Sequence, residues 1–293
     1  MKKIALIAFF AVTTANAGTP VKSEYFYQTD ATQHQVTPEL TYISDKTEFT
    51  GASSETTNQT LNVRYEYGIN EMLSTGAQIG YLTGETETAG TAADQTGMTD
   101  ITLFVKGQNS WVDSQSFHYG ANFGWSPGDA TVDTTGETNA MTGGMSLTPY
   151  AGYLWMVGKG VAGVNLSTQV DIGDRTIDDE ANTDKTKATG GNDTTLTGLY
   201  EHPMEWGLVG TSLSYIATNT TENETGAVTS ETTGGNFWRL RVYPTYKVSE
   251  TATVIGQIAY QGFLGDSVTS GGTVVDVDSS NVLTLQVGGR FTF

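Results

Sequence analysis

Three histidines, His34, His118 and His202, are the residues of this 293-residue chain best suited to moving a proton. A catalytic histidine needs a nucleophile or an acid within hydrogen-bond reach. No G-x-S-x-G and no H-E-x-x-H occurs, so no familiar hydrolase pattern frames any of them. There is no cysteine, which excludes thiolate chemistry and a disulfide framework. Acids are dense at Asp174, Asp178, Asp179, Glu180 and Asp184, but their spacing fits no calcium loop. The expectation is a protein without catalytic residues, metal or cofactor.

The charges that do form a pattern alternate with apolar residues. In FWRLRVYPTYKV (237–248), Arg239, Arg241 and Lys247 share one parity, while Trp238, Leu240 and Val242 take the other. Period two is the signature of a strand with two unlike faces. The same reading puts Glu39, Arg64, Glu66, Lys106, Glu201 and Arg290 on the polar faces of their own strands.

Twelve such segments recur along the chain, from VTPELTYI (36–43) to the closing VLTLQVGGRFTF (282–293). Short connections alternate with long ones rich in Gly, Thr, Asp and Glu. Strands of about ten residues, even in number, with short turns on one side and long loops on the other, describe a membrane barrel. No stretch beyond residue 17 approaches the ~20 apolar residues of a membrane helix. A closed sheet is then the way to pair every backbone group in hydrocarbon. The fold class expected is all-β: a transmembrane antiparallel β-barrel of about 12 strands, with short periplasmic turns and long acidic extracellular loops.

Lipid settles which face is which. An arginine facing mid-bilayer costs ~2–4 kcal/mol, so Arg239 and Arg241 turn inward and Trp238 faces lipid. The other charged positions named above follow them into the lumen. Two readings stay open. The charges brace the interior as a network of pairs, because buried charges need partners. Alternatively Arg239, Arg241 and Lys247 line a water-filled path that favours anions.

The two chain ends indicate the compartment. MKKIALIAFFAVTTANA has a basic start, a short apolar core and an A-x-A site, the form of a signal peptide over 1–17. Residues 18–34 then read as a short periplasmic segment and 35–293 as the barrel, placing the protein in the bacterial outer membrane. Losing Lys2 and Lys3 takes the formal charge from −18 to −20, unsuited to nucleic acid. At the other end Phe291 and Phe293 close an alternating strand. That ending resembles the assembly signal of outer-membrane proteins, which implies recognition by the barrel-assembly machinery. Outer-membrane lipid and lipopolysaccharide are the other expected partners.

Two stretches carry a further resemblance. Tyr67 to Gly76, YGINEMLSTG, and TGMTDITLFVKG (96–107) resemble the outer-membrane family linked to meta-pathway phenol degradation. That family is thought to be related to long-chain fatty-acid transporters, which implies passage of small, often hydrophobic molecules. The N-terminal plug of those transporters is not evident, and Glu71 and Phe104 depart from the family's usual Asp and Gly. The leading functional expectation is a channel for passive uptake of small solutes, hydrophobic or anionic. The alternatives are a closed barrel with a structural or surface role, and an outer-membrane hydrolase. All three histidines fall near the expected periplasmic end, away from an enzyme's surface substrates.

Overall fold

Alternating side chains make the twelve strands amphipathic, and a computed structural model shows them rolled into a closed barrel. It describes residues 19–133, 137–180, 185–226, 228–265, 267–270 and 272–293. The signal-peptide expectation and Asp184 lie outside the described residues. The barrel strands are β1 (His34–Phe49), β2 (Ala52–Asn70), β3 (Leu73–Thr88), β4 (Ile101–Val112), β5 (Gln115–Trp125) and β6 (Met145–Val157). They continue as β7 (Gly160–Thr168), β8 (Asp193–Met204), β9 (Gly207–Thr218), β10 (Asn236–Lys247), β11 (Ala252–Phe263) and β12 (Thr273–Thr292). Each pairs antiparallel with the next, and β12 returns to β1 with Leu285 opposite Tyr42. The seam ends where His34 and Phe293 exchange backbone hydrogen bonds of 2.9 Å in both directions. The Phe293 ring stacks on His34, with centroids 6.0 Å apart.

The outer surface is apolar, as lipid requires. Leu61, Leu166, Leu196, Leu213, Leu240 and Ile258 all stand exposed on it. Phe291 joins them there. In a water-soluble protein such residues would form the core. Here their partner is hydrocarbon.

Strand length varies around the wall. The 9 residues of β7 climb about 23 Å at ~3.3 Å per residue and ~40° tilt, close to the ~25 Å apolar band. The 19 residues of β2 climb about twice as far. The excess belongs to stretches whose composition suggested loop, and eight further short strands lie in the connections. Seven of these also form a ring, while Val170–Asp171 pairs with β6. Thr91–Met98 pairs with β3 and bridges through Gln95 to Thr138, which bridges to Val132. Ala130–Val132, Arg175–Asp179, Thr186–Gly190, Thr221–Thr225, Val228–Thr232 and Ser267–Ser270 then follow one another to β12. The connections at the long-loop end thus form a second, polar storey of sheet.

Parity carries over into that storey. Its inner face presents hydroxyls that pair across strands, Thr56 with Thr86 at 3.0 Å and Thr186 with Thr225 at 2.7 Å. Its outer face carries acids, with Glu55 opposite Glu87 and Glu85 opposite Asp94. Much of the negative charge of these connections therefore points away from the lumen.

Candidate functional site

The lumen is built from the inward residues and from a segment that sequence pattern did not place there. Residues 19–33 enter beside the turn between β4 and β5, where the Thr19 amide donates to Asp113 at 2.9 Å. They cross the barrel interior at the short-turn end before β1 begins. Residues 19–33 of the segment expected to be periplasmic (18–34) are thus seated within the barrel, while His34 already belongs to β1. Phe26 lies flat on His118, with centroids 4.9 Å apart, against Val21, Leu154, Val161 and Leu199. Gly152 makes this possible, because a Cβ there would overlap the Phe26 ring. Two or three buried aromatic and aliphatic groups are the natural anchor for a strap with no sheet pairing of its own.

Two buried carboxylates fasten the strap. Glu201, wholly buried, accepts from the amides of Glu24 at 3.1 Å and Tyr25 at 2.8 Å. It also accepts from Ser23 Oγ and Tyr243 Oη, both at 3.0 Å. These four donors hold a carboxylate with no ion-pair partner among the described residues. Glu66, also wholly buried, takes the Thr29 amide at 2.9 Å, Ser74 Oγ at 2.8 Å, Lys106 Nζ at 2.7 Å and Arg64 at 3.3 Å. Lys106 in turn donates to the Tyr27 carbonyl at 2.5 Å. Arg290 binds Glu24 at 2.7 Å and covers the Tyr27 ring from 3.5 Å. Phe104 sits beneath Arg64, 4.1 Å from the guanidinium to the ring centre, in space left by Gly76.

The expected lumen residues therefore divide. Glu66, Lys106, Arg64, Glu201 and Arg290 form one assembly with the strap. Glu39 lines a cavity of about 270 Å³ just above it, together with Arg241. Arg239, two residues away on β10, lines a second cavity of about 470 Å³ toward the long-loop end. Lys247 shares their parity but is exposed at the rim and lines neither cavity. The Nε atoms of Arg239 and Arg241 are buried without a hydrogen-bond partner. Phe293 is exposed at the seam.

The strap residues were missed because they lie in no strand. The available signal was SEYFYQ (23–28), three consecutive aromatics in a stretch too short to be a barrel strand. A Ser–His contact also escaped notice: Ser116 Oγ lies 2.9 Å from His118 Nε2. Both side chains are buried beneath Val21 and Phe26, so no substrate reaches them. His34 and His202 have tyrosine neighbours, Tyr65 and Tyr200. No group of three His, Cys, Asp or Glu able to hold a metal occurs among the described residues.

No protein-family model and no curated protein matches the sequence. Solved structures do match the fold, which is that of an outer-membrane β-barrel. The COG4313 outer membrane channel from Pseudomonas putida F1 superposes with a TM-score of 0.63 at 12% identity, over 93% of this chain and 100% of that one. The transport unit of the autotransporter AIDA-I from Escherichia coli matches with 0.54 at 12% identity, over 88% of this chain and 90% of that one. A deltaS2S3 mutant of the TodX monoaromatic hydrocarbon channel matches with 0.52 at 12% identity, over 92% of each chain. At such identities the likeness speaks for the fold alone.

Proposed function

We propose that this protein is a bacterial outer-membrane channel for passive uptake of small anionic solutes. Short turns face the periplasm and the polar second storey faces outward. One observation carries the reading: Arg239 and Arg241 stand ~7 Å apart on one strand, one in each of two successive lumen cavities. A solute leaving the upper cavity meets the next arginine in the lower one. Charged groups arranged along a water-filled path select ions by sign. The hydroxyl face of the second storey supports the same reading, since Glu55, Glu85, Glu87 and Asp94 stand on its outer face instead. The similarity in fold to a COG4313 channel and to TodX agrees with transport.

The strap narrows the short-turn end, and its network of ion pairs and hydrogen bonds favours a second reading in which the barrel is closed and structural. Catalysis has no such support, because the Ser116–His118 contact is sealed. Contacts with lipopolysaccharide and with the barrel-assembly machinery through Phe291 and Phe293 are part of the proposal.

Planar-bilayer recording separates the two readings. A channel gives steady conductance steps, with a reversal potential in a salt gradient that reports anion preference. Replacing Arg239 and Arg241 together by Gln moves that potential toward zero. A silent barrel, or one whose selectivity ignores both arginines, sinks the channel reading as stated.

A further inference from the structure

The upper cavity contains two opposite charges that do not meet. Arg239 on β10 has a buried Nε without a partner, and Asp193 at the start of β8 has a buried Oδ1 without one. Both line the 470 Å³ space, yet no ion pair joins them. The other guanidinium there, Arg175, forms an ion pair with Asp171 at 3.0 Å, although its Nε, like that of Arg239, makes no aligned hydrogen bond. Gln261, opposite Arg239 on β11, adds an amide to the wall, and Phe237 adds an apolar face.

Unpartnered buried polar groups are costly, and native structures leave few of them. A cavity of this size with a few convergent polar groups is the common form of a small-molecule site. The required guest is defined by complement. It offers an anionic acceptor to Arg239, a donor to Asp193, and a short carbon body to Phe237. A simple fatty or aromatic acid satisfies the arginine and leaves the aspartate unmet.

We infer that the upper cavity is a binding station for small α-hydroxy or α-amino carboxylates. This deepens the anion-channel reading and rests on it for the route of access. Binding is nevertheless measured without conduction, so the two stand or fall separately.

The test is isothermal titration calorimetry on the refolded full chain in detergent micelles, with lactate, L-alanine and propionate as probes of similar size. At least one of lactate and alanine is expected to bind at least about fivefold more tightly than propionate, the worth of one added hydrogen bond. Preference for alanine alone would identify an ammonium as the donor, and for lactate alone a hydroxyl. Arg239→Gln should abolish binding of all three. Asp193→Asn should erase only the advantage over propionate. Heat-modifiable migration on a gel checks that each variant keeps its barrel. Equal binding of the three probes, no binding by any of them, or an unchanged preference in Asp193→Asn overturns the inference, whatever the bilayer shows.

Discussion

The two ends of the lumen treat buried charge in opposite ways. At the short-turn end Glu66 and Glu201 are wholly enclosed, and each accepts several hydrogen bonds from the strap and the wall. At the upper end Arg239 and Asp193 share a cavity with buried atoms unpaired. The boundary is not sharp along β10, since Arg241 in the lower cavity keeps a buried Nε without a partner just as Arg239 does. The difference is the strap: it brings backbone amides and a glutamate to the lower charges and stops short of the upper ones. Saturated charge fixes a segment in place. Unsaturated charge is available to a solute.

The largest effect should come from removing that difference. Deleting residues 19–31 takes away the strap while leaving every barrel-strand pairing intact. A deletion variant in a planar bilayer should conduct on the order of tenfold more than the full chain, because the constriction is gone. Conductance unchanged by the deletion would mean that the narrow point lies elsewhere, and that the strap is only a brace.

Next in size is the loss of one saturated carboxylate. Glu66→Ala strips Lys106 and Arg64 of their common partner inside the barrel. Breaking a buried pair by removing one member costs ~3–5 kcal/mol. Urea unfolding in micelles should show a loss of that order. Arg239→Gln should lose far less, since Arg239 Nε has no hydrogen-bond partner and the side chain has no ion pair among the described residues. Equal losses in the two variants would remove the distinction between the ends.

What the sequence made legible follows the same boundary. The inward register of Arg239 and Arg241 could be read because strand parity and the cost of an arginine in lipid gave the same answer. All twelve barrel strands were visible for the same reason: apolar residues at every second position. The partners of the lumen charges were not visible. Ser23, Glu24, Tyr25 and Thr29 lie in an irregular segment, and their roles depend on contacts with residues more than 30 positions away. The second storey was hidden for a different reason. Its strands rich in Thr, Glu and Gly lack an apolar face and read as solvated loop. They are ordered by continuing the ladder of strands already paired below them, a tertiary effect that outweighs local propensity.

The smallest effect concerns the outer face of that storey. Glu55 and Glu87 stand directly opposite on β2 and β3, on the face turned away from the lumen. Like charges in that position repel, and relief of a cross-strand repulsion is worth about 0.3 kcal/mol. Glu55→Gln with Glu87→Gln should therefore stabilise the barrel slightly in urea and leave the reversal potential where it was. Thr56→Asp sets the contrast, because Thr56 lies on the inner face against Thr86. One acid placed there should reduce anion preference more than two acids removed outside can raise it. If the outer pair proved to govern selectivity instead, the storey would act through its overall field, and the division between inner and outer walls would have no bearing on which solutes pass.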